Sequence, residues 1–148
     1  MTTRVIDTET DRDLLLRLIK AQRLPFTVDV AKGRRRSVEQ NRLQRLWCRE
    51  IAEQLGDRTP EQVRGYCKLH IGVPILREEN SDFREKYDRI IRPHSYAEKL
   101  EMMMEPFDFP VTRLFSTEQK VRYLDGIHQH FAEQGLQLTN PDERRRAA

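Results

Sequence analysis

The residues with the clearest chemical potential are the cations between positions 32 and 49, in the stretch KGRRRSVEQNRLQRLWCRE. Seven of them fall there: Lys32, Arg34, Arg35, Arg36, Arg42, Arg45 and Arg49. The planar guanidinium group offers paired donors that match a phosphate. Neutralising several phosphates also releases counterions, which makes the affinity depend on salt. One interpretation of the pattern is a nucleic-acid-binding face built on phosphate contacts.

The last three of these arginines recur at helical spacing and share one side of a helical wheel. An apolar stripe lies on another side, displaced by roughly 150° at 100° per residue. It consists of Leu43, Leu46, Trp47, Ile51 and Leu55. This stripe should face the core, which leaves the arginines free to contact DNA. The residues alone also allow a second interpretation, a solvated helix face on which Glu39, Glu50 and Glu53 offset part of the charge.

Metal-binding motifs are weak in this sequence. Cys67 and His70 stand three residues apart on one predicted helix, but a structural zinc site normally needs four ligands and no Cys-x-x-Cys pair is present. His128 and His130 are two residues apart, a spacing that points side chains to opposite faces of a helix. We therefore predict that Cys67 and His70 are core residues and that the protein uses no metal or other cofactor.

Catalytic motifs are equally weak, and we predict a protein that is not an enzyme. A nuclease would need clustered carboxylates that hold Mg²⁺. The stretch DVAK at 29–32 resembles an acid-x-Lys nuclease motif, but its spacing is one residue too long. Trp47 could stack on a base, although its place in the apolar stripe favours the core. Four tyrosines would be better stackers if exposed: Tyr66, Tyr87, Tyr96 and Tyr123.

The N-terminal segment predicts a small unit of strand, helix and strand. RVID is strand-like, and the apolar spacing of TDRDLLLRLIKAQ predicts a helix from Thr10 to Gln22. In LPFTVDVAKG, apolar and polar residues alternate, which is typical of a half-buried strand. The predicted fold class is therefore α+β, with this unit followed by a mainly helical region in a single domain over 1–140. The basic tail at 141–148 is expected to be mobile.

Repeated capping signals predict the helical region. SVEQ, TPEQ, SYAE and STEQ each place Ser or Thr three residues before Gln or Glu, the spacing of a capping box. The predicted helices cover 37–55, 59–71, 95–105 and 116–134, with Gly56 and Gly135 as stops. SDFREKYDRII predicts a further, weaker helix. IGVPIL and PFDFPVTRLF are predicted connectors, and the second could contain an edge strand.

Composition excludes some classes of protein and leaves others open. The 148 residues carry a formal net charge of only +3, so the argument for DNA rests on how the charge is distributed. No apolar run approaches the roughly 18 residues of a membrane span, and no signal peptide is apparent at the N-terminus. Two cysteines without a secretory signal indicate free thiols in a reducing compartment. We expect a cytoplasmic protein.

The order of these features resembles the phage NinB family, the Orf-type recombination proteins of lambdoid phages and prophages. One match is the run Ser37, Gln40, Asn41 and Arg42 leading to Trp47. The other is FSTEQKVRYLDGIHQHFAEQGLQL at 115–138, which is similar to the family's C-terminal helix. The resemblance spans most of the chain, is least at 72–110, and does not extend to the ending NPDERRRAA.

The resemblance implies a nonenzymatic recombination mediator. Such proteins bind single-stranded or gapped DNA as homodimers, and help to load a recombinase onto strands coated by the host single-strand-binding protein. Duplex DNA is a further expected ligand. Two alternatives stay open: a structure-specific, metal-dependent nuclease acting at recombination junctions, and a protein-interaction adaptor that does not bind DNA.

Overall fold

The structure, a computed structural model, describes residues 4–30 and 36–140, with side chains from Glu39 onward in the second range. Seven α-helices are formed by these residues: α1 (Glu9–Ala21), α2 (Arg36–Leu55), α3 (Pro60–Cys67), α4 (Val73–Glu79), α5 (Ser81–Lys86), α6 (Tyr96–Met102) and α7 (Thr117–Ala132). The described residues also form two π-helical turns, Lys68–Gly72 and Tyr87–Ile91, and one 3-10 turn, Thr112–Leu114. The described part of the chain contains no β-strand, so the predicted α+β class is wrong and the described fold is all-α.

The chain divides into two compact units, Met1–Gln40 and Asn41–Ala148. The prediction of one domain over 1–140 stays a prediction, and the tail at 141–148 lies outside the described residues. In neither described range does a helix combine the length and apolar composition needed to cross a membrane.

In the first unit, the predicted helix is confirmed and both predicted strands are wrong. Helix α1 begins after Thr8, whose side chain accepts a hydrogen bond from the backbone N–H of Asp11, while Asp11 caps the Thr8 N–H in return. Of the alternating segment at 24–33, residues 24–30 are described; all of them are exposed, and Val30 is 88% exposed. Alternation produces a strand only when a neighbouring strand pairs with it, and no such partner exists among the described residues.

The second unit has two hydrophobic clusters. The larger joins α2, α3 and α7 and contains Trp47, Cys48, Ile51, Ala52, Val63, Cys67, Tyr123, Leu124, Ile127 and Phe131. The smaller joins α4, α5, the second π turn and the connector before α7; it contains Val73, Leu76, Phe83, Tyr87, Met103 and Val111. Of the predicted apolar stripe of α2, Trp47 and Ile51 belong to the larger cluster and Leu43 and Leu55 pack against it, whereas Leu46 is half-buried and is not among its members.

The predicted connector IGVPIL is instead helical, and the chain is continuously helical from Pro60 to Glu79. The cause lies in the π turn, where the Val73 N–H bonds to the carbonyl of Lys68, five residues back. Because of this change in hydrogen-bond spacing, the helix continues through Pro74, which lacks an N–H and would interrupt ordinary α-helical hydrogen bonding. Gly72 permits close packing here, because a Cβ at this position would lie 2.7 Å from Cγ1 of Val111.

The capping signals are confirmed where the side chains are described. Reciprocal capping boxes begin α3 at Thr59 and α7 at Ser116, and Ser95 caps the Glu98 N–H at the start of α6. Helix α2 begins at Arg36, one residue before the predicted Ser37, whose side chain lies outside the described residues.

The predicted glycine stops are confirmed, whereas α6 ends at Met102, three residues before the predicted end at 105. Gly56 and Gly135 follow α2 and α7 with φ of 77° and 83°, the left-handed conformation that suits glycine after a helix. SDFREKYDRII is helical, as α5 and the second π turn. The connector PFDFPVTRLF contains the 3-10 turn Thr112–Leu114 and no edge strand, because Phe109 and Val111 pack into the smaller cluster and no strand lies beside them.

Candidate nucleic-acid interface

Three arginines form an exposed row on α2. Arg42, Arg45 and Arg49 are all exposed, whereas Trp47 and Ile51, on the other face, are 4% and 0% exposed. Residues at i, i+3 and i+7 share a helix face, so the three guanidinium groups belong to one surface, which we call the α2 arginine row. The separation of cationic and apolar faces predicted from the sequence is therefore present in this helix.

The remaining cations of the predicted site cannot be placed on this surface. Lys32, Arg34 and Arg35 lie outside the described residues, and Arg36 is described only in its backbone, as the first residue of α2. Their role in DNA binding stays a prediction.

None of the three arginines in the row forms an ion pair or side-chain hydrogen bond within the part of the chain that the structure describes. Of the acids that could offset their charge, Glu50 accepts hydrogen bonds from the backbone N–H of Thr139, at 3.1 Å, and from its hydroxyl. An arginine without an intramolecular partner keeps all its donors for an external anion. The α2 arginine row is thus equipped to bind phosphates without first breaking internal contacts.

The segment after α7 holds α2 in place from the opposite side. The indole N–H of Trp47 donates to the carbonyl oxygen of Thr139 at 2.8 Å. Gln54 pairs with both backbone groups of Gln137, at 2.7 and 2.9 Å. These bonds join positions 83 and 92 residues apart. They anchor α2, the helix that carries the arginine row, to the segment after α7.

A buried polar pair links α2 to α7. Gln44 and Lys120 are each 8% exposed, and the Lys120 ammonium donates to Oε1 of Gln44 at 2.9 Å. The ammonium also lies 5.6 Å from the centre of the Tyr123 ring. Burial lowers the pKa of Lys120 to about 8, because removal from water disfavours the charged amine. No pattern in the sequence separates this buried lysine from the exposed ones, and sequence reasoning missed it.

The aromatic residues divide between core and surface. Trp47 is buried, which confirms the core prediction and excludes it as a stacking platform in this conformation. Tyr87 and Tyr123 are also buried, at 5% and 0% exposed. Tyr66 is half-buried, and its hydroxyl lies 3.0 Å from Nε2 of His130. Of the four tyrosines only Tyr96, 52% exposed, presents a large ring surface to solvent.

The cysteine and histidine residues do not converge on a common site. Cys67 is in the core, as predicted, and burial raises its thiol pKa well above the ordinary value. The core prediction for His70 is wrong, since this residue is exposed. Its Nε2 lies 2.8 Å from the Tyr96 hydroxyl at the surface. His128 packs against Trp47, whereas His130 pairs with Tyr66. Among the described residues no group of three or more potential ligands could hold a metal ion.

Comparison with known proteins gives no family for this chain: no family model, curated protein or solved structure matches it. The resemblance to the NinB family therefore rests on the residues at 37–47 and on the segment at 115–138 alone.

Proposed function

We propose that this protein binds single-stranded or gapped DNA through phosphate contacts and acts as a recombination mediator in the cytoplasm of a bacterial host cell. In this role it helps to load a recombinase onto strands coated by single-strand-binding protein. The observation that supports DNA binding best is the α2 arginine row, three exposed arginines without internal partners on a helix whose other face is buried.

The spacing of the row suits a polyanion. At 1.5 Å per residue, Arg42 and Arg49 lie about 10 Å apart along the helix axis, with Arg45 between them. Such a span allows several phosphates of one strand to be contacted together. Arginine forms paired, charge-assisted hydrogen bonds to phosphate oxygens. Each phosphate neutralised adds to the binding affinity, and this contribution falls as the salt concentration rises. The row carries no base-reading pattern of its own, so we expect binding with little sequence preference.

The mediator role, the homodimer and the contact with single-strand-binding protein rest on the resemblance to the NinB family. A mediator acts by binding and placing macromolecules, so the proposed role includes no cofactor and no chemistry on DNA. The predicted cations Lys32, Arg34, Arg35 and Arg36 precede the row in the sequence, and their part in DNA binding belongs to this proposal.

A filament-assembly assay tests this proposal. A bacterial recombinase is added to single strands already coated with single-strand-binding protein, and its DNA-dependent ATPase is followed with and without this protein. We compare the wild type with an α2-row variant, Arg42→Gln, Arg45→Gln and Arg49→Gln. A control variant removes three other exposed cations, through Arg84→Gln, Lys86→Gln and Arg113→Gln.

The wild type and the control variant should shorten the lag before ATPase activity, and the α2-row variant should not. Strand binding without any effect on the lag would refute the mediator role but leave DNA binding intact. Failure to bind strands at physiological salt would point to an adaptor. Cutting of labelled branched DNA in Mg²⁺ or Mn²⁺ would point to a nuclease.

A further inference from the structure

A second basic surface lies in the unit Asn41–Ala148, in a cleft of about 260 Å³ formed by three elements. The continuous helix from Pro60 to Glu79 supplies one wall, through residues that recur on one face between positions 69 and 77. The second π turn and the residue after it supply Tyr87 and Arg92, and α6 supplies Tyr96 and Lys99. Sequence reasoning missed this cleft because its residues are scattered over 30 positions.

The cleft carries more positive than negative charge. Its cations are Arg77, Arg92 and Lys99, and the carboxylate that pairs with them is Asp88. Arg77 holds Asp88 through two hydrogen bonds, at 2.7 and 2.9 Å. Arg92 is 63% exposed and lies 3.7 Å from the same carboxylate. Three cations against one carboxylate leave a surplus of two positive charges.

Lys99 is the cation most available to a ligand. It forms no side-chain hydrogen bond or ion pair within the described part of the chain, although it is half-buried at the edge of the cleft. Glu98, its neighbour in sequence, is instead held by Ser95 and His94, at 2.9 and 3.4 Å. A half-buried ammonium without a carboxylate partner attracts an external anion more strongly than an exposed one, because solvent screens it less.

The rest of the cleft offers a flat, uncharged surface beside these cations. Leu69 and Val73 contribute apolar side chains. The Tyr96 ring is fixed by its hydroxyl, which lies 2.8 Å from Nε2 of His70. The His70 ring is itself stacked on Tyr66, with ring centres 4.2 Å apart. These contacts preorganise an exposed aromatic ring, which favours stacking of a planar ligand group.

We propose that this cleft binds a phosphate monoester attached to a planar ring, as in a nucleoside monophosphate or at the phosphorylated end of a nucleic-acid strand. The two surplus charges match a dianionic phosphate, which Arg92 and Lys99 bind, and the Tyr96 ring stacks on the base. A phosphodiester within a strand carries one charge and fits this surplus less well. The volume of about 260 Å³ lies just below the range of drug-sized pockets, which suits one nucleotide unit.

Calorimetric titration of the full chain with deoxyadenosine 5′-monophosphate tests the site, with deoxyadenosine and inorganic phosphate as partial ligands. The monophosphate should bind at least about tenfold more tightly than either part, since it uses both the charges and the ring. The variant Arg92→Gln with Lys99→Gln should lose this advantage, while Lys86→Gln with Arg113→Gln should keep it. Equal affinity for deoxyadenosine and its monophosphate, or an unaltered affinity in the cleft variant, would overturn the proposal.

A second experiment distinguishes a free nucleotide from the phosphorylated end of a strand as the ligand. Oligonucleotides of one sequence, with a 5′-phosphate or a 5′-hydroxyl, are compared on the wild type and the cleft variant. A preference for the phosphorylated end that disappears in the cleft variant supports a strand-end site. Monophosphate binding without such a preference supports a free nucleotide. Because the α2 arginine row does not line the cleft, the α2-row variant should bind the monophosphate normally, so the failure of one proposal is distinguishable from failure of the other.

Discussion

Replacing the buried Lys120–Gln44 pair with apolar residues should make the protein more stable, and the gain should depend on pH. Lys120 is 8% exposed, and within the described residues the one side-chain hydrogen bond of its ammonium goes to Gln44. A single neutral partner compensates poorly for the loss of water around a charge. The perturbation is the double variant Gln44→Leu with Lys120→Met, which keeps similar volumes and removes both polar groups.

The magnitude follows from the lysine pKa, which burial lowers from 10.5 to about 8. A shift of that size means that folding disfavours the charged amine by about 3 kcal/mol at neutral pH. The double variant should therefore gain about 2–3 kcal/mol in unfolding free energy at pH 7. Lys120→Met alone should change little, because it leaves the Gln44 amide buried without this partner, at a cost of about 1–3 kcal/mol. Gln44→Leu alone should be destabilising, by about 1.5–3 kcal/mol, because the ammonium loses its hydrogen bond.

The pH dependence gives the sharper signature. Between pH 8 and 10.5 the unfolded chain keeps the Lys120 proton and the folded chain has lost it, so the contribution of Lys120 to the unfolding free energy rises with pH through this window. The advantage of the double variant should be full below pH 8 and shrink toward zero at pH 10.5. Lys68, Cys48 and Cys67 also have shifted pKa values, but they are common to both proteins and largely cancel in the difference.

Urea unfolding followed by fluorescence measures this, since Trp47 is the single tryptophan and is 4% exposed. Curves for the wild type and the three variants are recorded at steps from pH 7 to 10. A double variant less stable than the wild type at pH 7, or a stability difference constant over the whole range, would refute the reasoning.

Three further changes should alter stability in directions set by single contacts. Asp108→Asn should cost about 1–2 kcal/mol at pH 7, since the Asp108 carboxylate, 41% exposed, accepts from the buried Lys68 ammonium at 2.7 Å. Burial opposes ionisation of Asp108, but the hydrogen bonds from Lys68 and Arg64 outweigh it and lower the carboxyl pKa. The stability that the Asp108 carboxylate contributes should therefore be lost in acid titrations as the pH falls below about 4. Gly72→Ala should cost about 1–3 kcal/mol in urea unfolding, because the new methyl group overpacks the connector before α7; equal or greater stability would contradict this packing. Tyr123→Phe should be neutral or stabilising by about 1 kcal/mol, because the buried hydroxyl has no hydrogen-bond partner in the part of the structure described; a loss of 2 kcal/mol or more would show an unrecognised partner.

Local signals in the sequence predict most of the helices. A capping box specifies a helix start within one turn, and Thr59 and Ser116 begin α3 and α7 as their spacing indicates. The apolar stripe on α2 likewise identifies Trp47 and Ile51 as buried. These features depend on residues within a few positions of one another, so the sequence contains the whole cause.

The errors occur where the outcome depends on distant parts of the chain. Alternation at 24–33 predicts a strand, but a strand needs a partner, and periodicity in one segment does not reveal whether another segment supplies it. Pro74 predicts a break, yet the π turn before it lets the helix continue. The turn also brings Gly72 close to Val111, a contact nearly 40 residues away that local sequence does not reveal.

The candidate sites divide in the same way. The α2 arginine row could be predicted because one helix carries all three residues. The cleft could not, since Arg77, Arg92 and Lys99 come together only through the packing of three elements. The buried lysines were missed for the same reason: Lys120 and Lys68 resemble surface lysines until Gln44 and Asp108 lie beside them.

The most direct test of the central claim is the salt dependence of single-strand binding. The affinity of a labelled oligonucleotide is measured by fluorescence anisotropy over a series of salt concentrations, for the wild type, the α2-row variant and the control variant. Each phosphate contact contributes about 0.7 to the slope of log affinity against log salt for a single strand. Loss of Arg42, Arg45 and Arg49 should therefore reduce the slope by about 2 and weaken binding, while the control variant keeps the wild-type slope. The same slope in all three proteins, or an equal reduction in both variants, would contradict a DNA-binding surface on α2.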